Sequence, residues 1–378
     1  MKFYWNLNLF TGMKQISLIF IGINLIITAC KAPLYSINDK SQTGLWSSES
    51  ELKKNPVSGV AWDDVKAAAD IDFSKPVINN NNSDDDVNCL AASIVYARTD
   101  NQLYKDRVII ALEYNVSRGN PGFDSNGILT WCRNTGAYAL AADLIGYRTP
   151  QFETWLRNMV ETYRDPENYN NTIEEIFYRR ANNWGTQAFG TLCAVYGYLK
   201  DSSKLVKIRN YWIQMVTGPN SGATYGSDIS WHADQNNLRL INPRGSVKNG
   251  LNIDGIMPDD MRRNGSFSNP PPKSVTSYHW GALQGIISGA RILERFDPKL
   301  SIWGIGDKAI LRAVKILETD WRRDYNNDGS NWAATSDDIW MLPFVDAEYG
   351  TDFARDAFDP PRLWEHGKNA GWPYVLKR

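Results

Sequence analysis

Three short stretches of this 378-residue chain concentrate side chains suited to acid–base work on a charged substrate. "YRRANNWG" (178–185) brings Arg179, Arg180, Asn182, Asn183 and Trp184 together. "DISWHADQNN" (228–237) holds Trp231 and His232, the latter one of only three histidines in the chain. "DGIMPDDMRRNGSFSNPPPKSVTSYHWG" (254–281) supplies Arg262, Arg263, Tyr278 and His279. Amides, arginines, a histidine and a tyrosine match the demands of β-elimination from a uronic-acid polymer. The C5 proton is a poor acid while the neighbouring carboxylate stays charged, so that carboxylate must be neutralised or hydrogen-bonded. An asparagine amide can donate to it, and an arginine adds a charge-assisted bond. Those bonds strengthen as negative charge develops in the transition state. A tyrosine, with an ordinary pKa of ~10 that a nearby cation can lower, can take the proton and return it to the leaving oxygen.

Each residue also has a plainer reading. Asn182 or Asn183 can cap the helix beginning near Trp184, and with two adjacent amides both roles can coexist. His232 can be an ordinary loop histidine, and His279 can orient Tyr278 or pack behind it. Arg133, in "WCRNTGAY", can reach the same groove or lie along a helix surface. Arg244, Lys248 and Lys273 add positive charge that would draw a polyanion inward. Asp228, Asp254, Asp259 and Asp260 allow a second enzyme class, an α/α-barrel glycoside hydrolase working with paired carboxylates. Hydrolysis, however, gives no reason for the Asn pair or the Arg–Tyr arrangement. A non-catalytic sugar-binding lipoprotein would use the 15 Trp and 18 Tyr as stacking faces and need no acid or base.

The elements that position these stretches read as helices. Apolar residues recur at three- and four-residue spacing over 87–116, 128–147, 150–163, 184–200, 202–216, 274–296 and 306–321. Sustained period-two alternation is missing, so strands should be few and local. Helix pairs joined by short turns predict an all-α chain arranged as an α/α toroid, an incomplete barrel of helical hairpins. The long loops 217–273 and 322–360 are the natural place for a site. "NPPPK" (269–273) should stiffen one wall. "NNNNSDDD" (79–86) reads as a solvated, flexible approach to the first of these helices.

"NNW" at 182–184, then "DGIMPDDMRR", then "SYHWGAL" resembles the alginate-lyase superfamily of polysaccharide lyases. Those enzymes have an α/α-toroid fold. Their better-known members carry Asn-Asn-His, an arginine after an Asp-Gly…Pro segment, and a downstream Tyr-His at a helix start. The resemblance implies that Asn183 is the carboxylate-binding amide, Arg263 its cationic companion and Tyr278 the catalytic tyrosine. The family's histidine is Trp184 here, and His232 is the replacement candidate. The catalytic set is therefore Asn183, His232, Arg263 and Tyr278. Arg133, Asn182, Trp184, Trp231, Arg262 and His279 form the substrate-binding set. The expected activity is cleavage of mannuronate-rich alginate, or a related polyuronate such as glucuronan.

Composition bounds the remaining possibilities. With 43% apolar and 22% charged residues the chain is globular, and a net charge of −1 argues against coating nucleic acid. The partner expected is an anionic polysaccharide bound by a monomer. Lys2 and Lys14 precede the apolar run "ISLIFIGINLII" (16–27), too short to span a bilayer and suited to a signal-peptide core. Ile27-Thr28-Ala29-Cys30 resembles a bacterial lipobox, which makes Cys30 the lipidated residue. The expected organisation is a signal peptide (1–30), a polar tether (31–57) and one catalytic domain (58–378). The protein would be an exported bacterial lipoprotein, periplasmic or anchored at the outer membrane through its lipid alone. Cys89, Cys132 and Cys193 match no metal motif and read as core. No cofactor is required by this chemistry. Asp324, Asn326 and Asp328 begin an EF-hand-like calcium loop, but Thr335 stands where a bidentate Glu belongs. An Asn/Asp/Gly-rich turn is the preferred reading there.

Overall fold

The computed structural model describes residues 44–167, 170–218, 221–271, 278–321, 340–354 and 368–376. In chain order the first helices are α1 (Glu49–Leu52), α2 (Val60–Asp70), α3 (Asp85–Thr99), α4 (Gln102–Arg118), α5 (Ile128–Leu144) and α6 (Pro150–Glu161). They continue as α7 (Ile173–Arg179), α8 (Asn183–Tyr198), α9 (Ser202–Thr217), α10 (Pro258–Met261), α11 (Tyr278–Phe296) and α12 (Ile305–Lys315). Among the described residues the sheet is one two-stranded antiparallel hairpin, β1 (Val247–Lys248) with β2 (Leu251–Asn252), pairing Val247 with Asn252 and Lys248 with Leu251. The chain is all-α.

Two kinds of helix alternate, and the sequence dictates which is which. In α6 the buried residues are Phe152, Trp155, Leu156, Met159 and Val160, a single stripe at helical spacing. Each such side chain contributes about 1.5–3 kcal/mol on burial. Thr149 caps this helix by accepting from Phe152 N, and Pro150 occupies the first turn, where its missing N–H costs nothing. Helix α8 is different. It is buried almost all round, so it must pack between other elements rather than on one.

Helix α8 packs against both α5 and α11, and α5 against α3. Thr191 Oγ1 donates to Cys132 O at 2.8 Å on the α5 side. A Cβ on Gly285 would stand 2.0 Å from Thr186 O, so only glycine lets α11 approach α8 so closely. Gln187 meets Gly281, Phe189 meets Gly289, and Ile292 meets the Gly197 position, so α8 and α11 run parallel. Their N-termini therefore open at the same end. Between these two helices the chain runs through α9 and α10, and earlier it runs through α4 between α3 and α5 and through α6 and α7 between α5 and α8. The free cysteines Cys89, Cys132 and Cys193 lie buried in α3, α5 and α8, as core residues.

The structure corrects two expectations. The tether predicted over 31–57 is packed from Leu45 onward. Trp46 and Leu52 are buried, and Arg295 of α11 donates two hydrogen bonds to the Glu51 carboxylate, at 2.9 and 2.6 Å. Burial alone would raise the Glu51 carboxyl, but the Arg295 hydrogen bonds and charge, with the Ser48 donors, hold it below its ordinary value. A polar composition hid a segment whose acid has a buried partner 244 residues away. The second correction is the approach at 79–86, which is pinned rather than loose. Asn134 Nδ2 donates to Ile78 O and Asn80 O, Arg133 Nη1 to Asn81 Oδ1 at 2.9 Å, and Asn81 N to Asp124.

Residues 368–376 stitch the layers together. Asn369 N donates to Arg133 O, Ser288 Oγ to Asn369 O, Lys368 Nζ to Asp86, and Trp372 Nε1 to Val87 O. At the start of α12, Gly306, Asp307 and Lys308 have φ of 60°, 55° and 57°. Left-handed backbone of this kind costs a non-glycine residue about 1–2 kcal/mol. Arg312 steadies the turn by donating to Gly306 O at 2.9 Å and Asp307 O at 3.1 Å.

Candidate active site

Two adjacent amides meet two adjacent acids at the N-terminus of α8. Asn182 Oδ1 accepts from Trp184 N at 3.1 Å, so Asn182 is the N-cap. Its Nδ2 donates to Asp259 Oδ2 at 2.9 Å. Asn183 N donates to Asp260 Oδ1, also at 2.9 Å. Both pairs span 77 residues. The Asn183 side chain makes no hydrogen bond among the described residues, although it is only 9% exposed. The two neighbours are thus used differently: Asn182 caps the helix, and the Asn183 amide is unengaged among the described residues.

Asp259 is the hub of this arrangement. It also accepts from Gly226 N at 2.6 Å and from Arg262 Nε at 2.6 Å. A Cβ on Gly226 would fall 2.1 Å from the Arg262 guanidinium, so the loop passes directly over that arginine. Arg262 is therefore neutralised and clamped. Asp260 is 1% exposed, and its Oδ2 is sealed without a partner. Burial pushes its carboxyl well above the ordinary range, outweighing the Asn183 N–H and the nearby arginines.

Arg263 behaves differently from its neighbour. It is exposed, its Nη2 donates to Tyr278 Oη at 3.0 Å, and its guanidinium lies 4.3 Å from the ring centroid. Tyr278 is the first residue of α11, half-buried, at the end where α8 also begins.

His232 is 2% exposed and packs edge-on against Tyr225, with ring centroids 5.0 Å apart. Burial pushes its imidazole down to about 4, against the pull of Asp259 and Asp228, so it is neutral at neutral pH. Its Nδ1 is sealed without a partner. Such a ring fits a wall better than an open proton acceptor. Tyr225, also largely enclosed by burial, is pushed up to about 12.

Two predicted substrate contacts are corrected. Trp231 is fully buried, donates from Nε1 to Gly265 O at 2.8 Å and meets Phe267 edge-on, so its face is not open to a sugar. His279 is fully buried against the α12 backbone at Ala313, with both ring nitrogens sealed from solvent. Burial pushes it down to about 3. Apolar cover claimed both rings. Trp184 is half-buried beside the Asn pair, while Arg133 is tied to Asn81 in the pinned loop.

Asp259 and Asp260 were legible only as hydrolase candidates. The signal for their anchoring role was the match of an adjacent acid pair to an adjacent amide pair. Among the described residues no group of three or more His, Cys, Asp or Glu could hold a metal ion, and Asp324, Asn326, Asp328 and His366 lie outside them. Cys30 and the apolar run also lie outside, and no described helix is long and apolar enough to cross a membrane. No family model matches the chain, and no curated protein matches it.

Proposed function

We propose that the protein is a polysaccharide lyase of the alginate-lyase type, cleaving mannuronate-rich alginate or a related polyuronate such as glucuronan. The observation that carries this reading is the Arg263 guanidinium donating to the Tyr278 phenol oxygen at 3.0 Å. A cation bonded there stabilises the oxygen when it bears negative charge. Asn183, with its side-chain amide unengaged, donates to the uronate carboxylate. Asn182, Asp259 and Arg262 hold that amide in place. In mannuronate and glucuronate the C5 hydrogen and the C4 oxygen share one face of the ring. The Tyr278 phenolate takes the C5 proton, the C4–O4 bond breaks as C4=C5 forms, and the phenol proton passes to the departing O4.

The paired-carboxylate alternative has fewer free acids than the sequence offers. Asp259 accepts three hydrogen bonds, Asp260 is enclosed, Asp254 pairs with Arg312, and Asp228 accepts from Ser230 N and Ser266 Oγ. The alternation of enclosed and one-sided helices supports an incomplete α/α toroid with the site at the shared helix N-termini. The amino-terminal pattern supports export as a lipoprotein that meets its polymer outside the cytoplasm. A panel of polyuronates tests the activity. Products carrying the conjugated unsaturated-uronate absorbance are expected, whereas new reducing ends without that absorbance would replace the lyase by a hydrolase.

A further inference from the structure

A cavity of about 610 Å³ opens between α12 and the 242–254 loop, within the range of small-molecule sites. Its lining includes Arg244, Lys308, Arg312 and Lys315, together with Asn252, Asp254 and Asp307. None of these belongs to the candidate active site. Arg244, Lys308 and Lys315 are exposed, while Arg312 is largely enclosed and organises the floor. It donates to Asn242 O at 2.8 Å, pairs with Asp254, and holds the left-handed turn through Gly306 O and Asp307 O. Asn242 Nδ2 in turn donates to Trp231 O at 3.0 Å, and its Oδ1 accepts from Ala233 N at 3.1 Å. The cavity thus lies behind the loop that carries His232.

We propose that this cavity is a second carbohydrate site, taking one acidic sugar unit of an oligosaccharide. Arg244, Lys308 and Lys315, exposed around an Arg312 already paired with Asp254, make the concavity positive and favour a carboxylate. Two carboxylates and an amide in the same lining accept hydrogen bonds from ring hydroxyls. That mixture suits a sugar with one negative charge and several donors, because Asp254, Asp307 and Asn252 can accept from ring hydroxyls that an ionised phosphate lacks. The strained turn also lies at the cavity, where a fixed, uncommon backbone serves a binding wall. The inference goes beyond the proposed elimination and does not depend on turnover.

The test titrates trimannuronate calorimetrically into the full chain carrying Tyr278→Phe, so that no probe is consumed. The same titration is run with Arg244→Glu/Lys315→Glu added, and again with Arg244→Gln/Lys315→Gln. Sodium phosphate at matched ionic strength serves as competitor. The charge reversal should weaken one binding event more than tenfold, the neutral pair should weaken it less, and phosphate should not displace the probe. If the elimination reading is wrong, the cavity event is still present and still lost on charge reversal. A single event untouched by either double variant would overturn the second site while leaving the elimination reading intact. No binding at all, or equal displacement by phosphate, also overturns it. Should the reversed protein fail to fold, the neutral pair decides alone.

Discussion

The Asn182–Asp259 and Asn183–Asp260 contacts join the starts of α8 and α10, and the Arg263–Tyr278 contact joins the turn after α10 to the start of α11, yet they are built in opposite ways. In the first, Asn182, Asp259 and Asp260 are 6%, 3% and 1% exposed, and Asp259 alone accepts three hydrogen bonds. In the second, an exposed arginine touches a half-buried tyrosine through one hydrogen bond. Arg262 and Arg263 are neighbours in sequence and fall on opposite sides of this divide. The enclosed groups form the frame, and the more exposed ones stand at the rim where a substrate could reach them. Preorganised sites need both, because a reactive group is only as well placed as the shell behind it.

Breaking the rim should have the largest effect. Tyr278→Phe removes the proposed proton carrier and should abolish elimination from every substrate, a loss of at least about 10²–10⁴-fold in initial rate. Near-normal turnover by this variant would remove tyrosine from the mechanism. Asn183→Ala should come next, with a fall of about 10²–10³ in rate and an unchanged melting temperature, since its side chain supports nothing else. An active Asn183→Ala enzyme would move the carboxylate contact elsewhere.

The wall behind the site should respond to pH. An unfolded histidine takes up a proton as pH falls through about 6.5, whereas folded His232 waits until about 4. The unfolded state therefore binds more protons in that window, and His232 withdraws stability as pH falls, by about 3 kcal/mol in total. The raised Asp260 carboxyl works in the opposite sense, because its folded form holds a proton that the unfolded chain releases. Comparing wild type with His232→Asn isolates the histidine. Wild type should lose more stability than the variant between pH 7 and pH 4.5, by chemical denaturation, and parallel losses would exclude the buried neutral imidazole. The smallest effect belongs to the frame's cap. Asn182→Ala should cost about 1 kcal/mol or somewhat more, as a lower melting temperature, and should reduce turnover less than Asn183→Ala does.

Much of the fold was legible because apolar spacing is a local signal. The 150–163 and 202–216 patterns match α6 and α9 within two residues. Pairing over long distances was not legible. Glu51 looks like one more polar residue in a polar stretch until Arg295 is seen across from it. The same blindness made Trp231 and His279 look available, since the sequence shows a ring's chemistry but not what covers it. Either Asn182 or Asn183 could be read as the helix cap, and only the position of Trp184 N says that it is Asn182.

Residues 368–376 carry a consequence for how the protein is made. Trp372 bonds to Val87 across 285 positions, and Asn55 bonds to Tyr374 across 319. Local helices can form within microseconds, but contacts this distant wait on closure of nearly the whole chain and slow the final step. During vectorial synthesis α3 must wait for two of its partners, those of Asp86 and of Val87 O, until Lys368 and Trp372 have emerged. A ribosome that stalls before residue 368 would release a chain with most of its helices and no finished interior, open to proteases and to any factor that holds unfolded polypeptides.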